Sequence, residues 1–445
     1  MREILFLCCS FLFINCTAPK KYIDLTSYPL KAKNIRLDIK SLENWQHKDI
    51  IEDTIPGISL DKAYRELLKN KKGNKILVAV IDTSTDINHE DLKEIIWVNS
   101  DEIPNNDIDD DGNGYIDDVH GWNFIGNQKG ENILYCNLES SRIIKHFKNK
   151  FEGKKGENIA IADQKNFIKY QNALLEYKKS YNVIMEEKKY GDSIRAGYKH
   201  AEKLLQPFFK NNQYTVRQLD SLALIHKEDI EGAIFFMKNY ITQQISTENV
   251  FNYFQIIDDQ IKTIYNENYN DRIIIGDNPD DLSDIKYGNN NVSILAKELQ
   301  HGTKIAGVIG AARNNSIGIN GIYNNLELMI LPIAAYCNEN DKDVALAIRY
   351  AVDNGAKVIN MSFGKNISLR EEWVRDAIVY AEEHHVLMVS GAGNDSVNLD
   401  VNPYFPTDVD EDGREISSNF IKVGSVSYYT KEWFVSYFSN YGKKM

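Results

Sequence analysis

The chain has 445 residues, which is enough for one large domain or for two to three smaller ones. Hydrophobic residues make up 43% of it and aromatic residues 11%, a composition that argues against disorder of the whole chain. The formal net charge of −12 argues against a non-specific nucleic-acid binder, because such a protein needs a basic face. We therefore expect a folded protein that has no nucleic-acid partner.

The N-terminus has the pattern of an export signal. Arg2 precedes a mostly apolar run from Ile4 to Ile14, which is too short to span a bilayer as a stop-transfer helix. We predict a signal peptide over residues 1–15, followed by Cys16 at the position where bacterial lipoproteins carry a lipidated cysteine. Ordinary secretion, with Cys16 lost or free, is the alternative. In both cases the protein is exported, and lipid on Cys16 would be its only attachment to a membrane.

After Cys16 the composition predicts a polar tether over residues 16–60 and then an α/β pattern that is interrupted once. The run Ile76–Ile81 is apolar on both faces, which is typical of a central strand in a parallel sheet. Four later apolar runs alternate with helical stretches, at residues 326–331, 358–361, 386–389 and 421–426. Alternating strands and helices predict a parallel sheet flanked by helices.

The interruption divides the α/β pattern into a first part over residues 61–129 and a second part over residues 272–445. Between them, residues 130–271 carry apolar side chains at three- and four-residue steps, which predicts an all-helical insertion. We find no catalytic constellation in the insertion and interpret its aromatic residues as core. Cys136 and Cys337 have no metal-ligand spacing, and we interpret them as two separate small hydrophobic residues.

Three polar residues stand at the ends of these elements. Asp82 directly follows the strand Ile76–Ile81, and the carboxyl end of a parallel strand is where open α/β sheets place their active sites. His301 begins the small-residue segment 301–310, where it could act as a general base at the start of a helix. Asn394 ends a small-residue turn, from which its amide could donate to a developing oxyanion.

Together, and in this order, the three segments resemble the subtilisin-like serine proteases, or subtilases. The resemblance covers roughly residues 61–128 and 272–442. It implies a serine endopeptidase acting on polypeptides, in which Asp82 is the triad acid, His301 the base and Asn394 the oxyanion donor. It also implies a strand that pairs with extended substrate, which includes Ser362, Phe363 and Gly364. The pocket for the residue before the scissile bond would be lined by Ser390, Gly391, Ala392 and Gly393. No cofactor is implied for the chemistry.

The chain departs from the family at two places that bear on activity. Ser84 stands where the family prefers glycine, so the turn after Asp82 is strained if it needs a positive φ. The family's nucleophile motif, Gly-Thr-Ser-Met-Ala, follows a stretch that residues 438–442 resemble, and it does not occur in the 445 residues. We therefore expect a subtilase domain that lacks its C-terminal portion and is inactive as given. The alternative is a peptide-binding surface lipoprotein without catalysis.

An acidic loop has the spacing of a calcium site. Carboxylates stand at loop positions 1, 3, 5 and 12, with glycine at position 6. The candidate ligands are Asp107, Asp109, Asp111, Asn113 and Asp118. A solvated acidic turn without a metal is the alternative.

Overall fold

The computed structural model describes residues 37–69, 71, 73–209, 211, 213–225, 230–242, 247–293, 296–297, 299–410, 412–429 and 434–443. The chain divides into two compact units. Of the described residues, those within 1–69 and 427–434 form one unit, and those within 70–426 and 435–445 form the other. The predicted signal peptide and Cys16 lie outside the described residues.

The smaller unit contains helices α1 (Ile39–Leu42) and α2 (Leu60–Glu66), with a short 3-10 helix between them. The Asp38 carboxylate caps α1 by accepting a 2.7 Å hydrogen bond from the backbone N–H of Ser41. Trp45 packs edge-on against Tyr428, with ring centroids 6.1 Å apart. The described part of the predicted tether therefore includes regular structure, and its boundary at residue 60 stays a prediction.

The larger unit is built on a five-stranded sheet, in the order β2-β1-β3-β4-β5. Every neighbouring pair is parallel. The strands are β1 (Ile76–Asp82), β2 (Leu326–Pro332), β3 (Val358–Met361), β4 (Leu387–Gly391) and β5 (Phe420–Val423). Because all five run the same way, their carboxyl ends lie along one edge of the sheet.

Helices cover both faces of this sheet. Ala79 and Ile81 of β1 share a core with helices α10 (Asp341–Asp353) and α11 (Glu371–Glu383). Val78 and Val80 point the other way and share a core with α9 (His301–Gly310). The alternation of side chains along a strand explains why β1 is apolar at successive positions. The predicted parallel sheet flanked by helices is confirmed.

The insertion between the catalytic candidates is helical, as predicted. Its helices are α3 (Glu139–Phe151), α4 (Gln164–Leu205), α5 (Val216–Ile225), α6 (Glu231–Thr242), α7 (Thr247–Lys262) and α8 (Asp271–Ile275). The other long helices of the insertion pack along the 42-residue helix α4. Its start contacts α3, its middle contacts α7 and its end contacts α5 and α6. The segment boundaries drawn from the sequence stay predictions. None of the helices in the described ranges combines the length and the apolarity that crossing a bilayer requires.

A disulfide joins Cys136 to Cys337, with their Cα atoms 5.3 Å apart. The interpretation of these residues as two separate small hydrophobic side chains is therefore wrong. The pair is separated by 201 residues in the sequence. Cys136 lies just before helix α3 and Cys337 lies after strand β2, so the fold brings the two cysteines together although their spacing gives no sign of it. Closing so long a loop is worth about 5 kcal/mol in the chain-entropy account.

Candidate active site

The structure brings Asp82 and His301 together. Asp82 is the last residue of β1 and His301 the first of α9, and a 2.7 Å hydrogen bond joins Asp82 Oδ1 to His301 Nδ1. The Asp82 side chain is 2% exposed, whereas that of His301 is 55% exposed. A buried carboxylate that holds Nδ1 fixes the imidazole tautomer and leaves Nε2 free to accept a proton. The arrangement therefore suits a general base.

Small residues allow α9 to approach the loop after β1 closely. A Cβ atom on Gly302 would lie 2.4 Å from the backbone oxygen of Thr83, so no larger residue fits there without a shift. Two hydrogen bonds then fix the helix start, from Gly302 N to Thr83 Oγ1 and from Asp86 N to Thr303 Oγ1, both at 2.9 Å. These contacts set the position of His301. Ser84 does not adopt a positive φ, so the serine introduces no strain of that kind.

The electrostatics of the pair favour the charged imidazole. The hydrogen bond to Asp82 raises the pKa of His301 above its ordinary 6.5, while partial burial and the neighbouring Lys304 oppose the rise. Asp82 Oδ1 also accepts a 2.7 Å hydrogen bond from Thr83 N, and Oδ2 is buried without a partner among the described residues. The buried carboxylate is thus held by two donors on one oxygen, and one of these donors is His301.

The predicted substrate segments lie along the same edge of the sheet. In the strand register Ile81 pairs with Met361 and Met361 with Ser390. Ser362, Phe363 and Gly364 therefore leave β3 between Asp82 and the segment Ser390–Gly393. Since neighbouring strands are about 4.8 Å apart, the ends of β1 and β4 are about 10 Å apart. This order is compatible with a peptide lying across the edge.

Asn394 lies in the exposed turn after β4, and a buried amide fixes that turn. Asn440 Nδ2 donates to the backbone oxygen of Ala392 at 2.9 Å, and its Oδ1 accepts from the backbone N–H groups of Asp395 and Val397 at 2.9 and 3.0 Å. Gly393 completes the turn at φ +100°, a conformation that favours glycine. Asn440 therefore fixes the backbone on both sides of Asn394.

The sequence alone does not point to the role of Asn440. Residues 438–442 resemble a family segment, and a single asparagine gives no sign that its side chain bonds to a turn more than forty residues earlier. Asn440 is 1% exposed, and its side-chain amide both donates and accepts hydrogen bonds, which only the tertiary structure shows.

The acidic loop assembles a different set of carboxylates from the predicted one. Oxygen atoms of Glu102, Asp109 and Asp111 lie within 4.8 Å of one another, and Glu102 comes from outside the predicted loop. Glu102 is buried, its Oε2 accepts no hydrogen bond among the described residues, and burial raises its pKa. A dehydrated, unpartnered carboxylate oxygen beside two other carboxylates fits a hard cation such as Ca²⁺.

The other predicted ligands lie outside that trio. Both oxygens of Asp118 accept hydrogen bonds, from Asn99 and from Asn113 and Tyr350. Asn113 Oδ1 accepts from Tyr115 N at 2.8 Å, and Asp107 is an exposed residue at φ +58°. Asp118 and Asn113 therefore hold the shape of the loop in the structure.

The chain is similar in sequence to known proteases. Residues 73–445 match the family model described as the Subtilase family. The chain is 33% identical over 145 residues to the thermophilic serine proteinase of Bacillus sp. (strain AK1), covering 32% of each chain. It is also 33% identical over 101 residues to the cell wall-associated protease of Bacillus subtilis (strain 168), covering 22% of this chain and 11% of that protein.

A solved structure, the nisin leader peptidase NisP from Lactococcus lactis, is 27% identical with a TM-score of 0.29, covering 35% of this chain and 48% of that chain. The matches thus span about a third or less of the two curated relatives' length and about half of the solved chain.

Proposed function

The chain belongs to the subtilase family, and we propose that it carries the acid, the base and the oxyanion donor of a serine endopeptidase. The family resemblance expected from the sequence is thereby confirmed. Membership makes the chain a serine-type peptidase by family, with polypeptides as the substrates of its relatives. The observation that carries the proposal is the 2.7 Å hydrogen bond between buried Asp82 and half-exposed His301 at the carboxyl end of β1.

In the proposed reaction Asp82 holds the neutral imidazole with Nδ1–H toward the carboxylate. His301 Nε2 takes the proton of a serine hydroxyl as its oxygen attacks the scissile carbonyl, and later gives that proton to the leaving amine. The Asn394 amide donates to the oxyanion that forms on the carbonyl oxygen. The Gly-Thr-Ser-Met-Ala motif does not occur within residues 1–445, so the reaction needs a serine from outside them.

The test is peptide hydrolysis by a chain extended after Gly442 with the Gly-Thr-Ser-Met-Ala-bearing segment of a subtilase. The extended chain should cleave unfolded casein, and Asp82→Asn should lower kcat by about 10⁴-fold because the imidazole loses its tautomer. Asp101→Asn, at an exposed carboxylate, is the matched control and should leave the rate unchanged. Peptide binding without turnover by the extended chain would instead support the non-catalytic peptide-binding alternative.

We propose further that Glu102, Asp109 and Asp111 hold a calcium ion, with Asp118 and Asn113 shaping the loop. The support is the buried, unpartnered Glu102 Oε2 beside two carboxylates. A bound Ca²⁺ would offset the mutual repulsion of three neighbouring carboxylates and thereby stabilise the loop. It takes no part in the proposed hydrolysis.

We also propose that the protein is exported and lipidated at Cys16. The Cys136–Cys337 disulfide supports export, because such bonds persist in oxidising compartments. Metabolic labelling with a fatty-acid analogue should tag the protein, and Cys16→Ser should abolish the tag. Persistent labelling of the Cys16→Ser protein would refute the lipid anchor and leave ordinary secretion.

A further inference from the structure

Tyr404 lies against both segments that form the proposed pocket. A Cβ atom on Gly364 would lie 2.3 Å from Tyr404 Cε1, and one on Gly393 would lie 2.8 Å from Tyr404 Cζ. Real Cβ atoms do not approach ring atoms so closely, so the ring packs directly against the backbone of both glycines. The same edge of one tyrosine ring thus contacts the substrate-pairing strand and the pocket segment.

The backbone around Tyr404 is fixed. Phe405 pairs with Lys365, the residue after Gly364, through hydrogen bonds of 2.8 and 3.0 Å. Lys422 Nζ donates to the backbone oxygens of Tyr404 and Pro406, at 2.5 and 2.7 Å. Because the backbone of Tyr404, Phe405 and Pro406 is anchored in this way, shifting this segment would break these hydrogen bonds.

Lys422 belongs to the same arrangement. It stands opposite Ser390 in the register of β4 and β5, and it is 8% exposed. Burial lowers its pKa to about 8. Its ammonium donates to two backbone carbonyls, so the Lys422 side chain holds the backbone of residues 404–406 in place.

We propose that Tyr404 fills the pocket for the residue before the scissile bond, so that only glycine, alanine or serine is accepted there. This inference rests on the proposed function, because it is that function which makes the space between Ser362–Gly364 and Ser390–Gly393 a substrate pocket. A phenylalanine or leucine side chain in that space would have to overlap the Tyr404 ring. A Cβ atom placed on Gly391 meets no atom within 4 Å, so some room for a small side chain remains.

Binding and cleavage of two matched peptides, with alanine or phenylalanine before the scissile bond, test the inference. Fluorescence anisotropy on the 445-residue chain should show binding of the alanine peptide at least about tenfold tighter than that of the phenylalanine peptide. In Tyr404→Ala the preference should fall by about tenfold or reverse. Tyr404→Phe keeps the ring and should keep the preference, as should Tyr437→Ala at an 87% exposed tyrosine.

The two proposals fail in different ways. Equal binding of both peptides by the unsubstituted chain, or binding of neither, would overturn the pocket assignment even if Tyr404→Ala does not fold. An unchanged preference in folded Tyr404→Ala would overturn it too. Hydrolysis by the serine-extended chain with no preference for alanine would refute the inference and keep the proposed function. Selective binding without hydrolysis by the extended chain would refute the proposed function and keep the inference.

Discussion

The protonation of His301 depends on the buried carboxylate of Asp82. The carboxylate is buried at the end of β1, and the imidazole closes over it with more than half of its side chain still exposed. Because the ionised carboxylate accepts the Nδ1–H bond, protonated His301 is stabilised in the folded chain. A neutral base is then available only above a raised pKa.

We predict that Asp82→Asn lowers the pKa of His301, since the hydrogen bond to the carboxylate is the main cause of its rise. NMR titration of the histidine ring should show a value above 6.5 before the substitution and a lower one after it. The raised pKa also contributes to folding stability below pH 6.5, and this contribution is lost as the pH rises through the raised pKa. An unchanged His301 titration in Asp82→Asn would show that the pair does not interact in solution.

Substitution of Asn440 should lower stability, whereas substitution of Asn394 should lower catalysis. Asn440→Ala leaves buried backbone groups without partners and should lower the free energy of unfolding by about 1–3 kcal/mol. Asn394→Ala removes an exposed amide, so the free energy of unfolding should change by less than about 0.5 kcal/mol. In the serine-extended chain it should lower kcat by about 10²–10³-fold, the loss found for an oxyanion donor of subtilisin itself.

Chemical denaturation and steady-state kinetics on both variants give the comparison. Equal losses of stability would contradict the distinct positions of the two amides. A full kcat in folded Asn394→Ala would remove this residue from the proposed oxyanion site.

The positions of Asp82, His301 and Asn394 can be predicted because each stands next to a regular element with a clear local pattern, and their catalytic roles stay proposals. The contacts of Tyr404, Asn440 and Glu102 cannot be predicted in this way, since they are made across the fold. Tyr404 meets Gly364 forty residues away, and Asn440 spans a turn 43 to 48 residues before it. Glu102 lies only seven residues before Asp109, yet it falls outside the loop spacing that pointed to calcium.

At the scale of elements, the β1 pattern and the small residues of α9 predicted the sheet and the helix that carry the site. The sequence does not predict the disulfide, because 201 residues separate the two cysteines and only the fold brings them together. The acidic loop is predicted in part. Its carboxylate spacing points to calcium, but the sequence does not show that the buried carboxylate of Glu102 joins the site.

Calcium should stabilise the folded chain through this loop. At a calcium concentration of about 100 times Kd, binding to the native state alone adds about 2.7 kcal/mol, or roughly 3 °C in the melting temperature of a domain this size. Differential scanning fluorimetry in chelator and in millimolar calcium should show the shift. Glu102→Gln should abolish it, whereas Asp101→Asn, next to it on the surface, should keep it. An equal melting temperature under both conditions would favour a solvated acidic turn.

For the whole molecule, the sheet, α9 and the turn after β4 form the proposed support for a nucleophile. Asp82 ends β1 and Asn394 follows β4, and the proposed substrate segment Ser362–Gly364 follows β3, which lies between these two strands. The helical insertion lies between Asp82 and His301 in the sequence, yet their side chains are 2.7 Å apart, so it lengthens the chain between acid and base without separating them.

Labelling by a fluorophosphonate probe tests the central claim most directly, because the probe reacts only with a serine that a base has activated. The 445-residue chain should not label, and the chain extended with a Gly-Thr-Ser-Met-Ala segment should label at one serine. In the extended chain His301→Ala should suppress labelling, while His384→Ala, at an exposed histidine after α11, should not. Stoichiometric labelling of the 445-residue chain, or undiminished labelling of His301→Ala, would contradict the assignment of His301 as the base for a serine outside these residues.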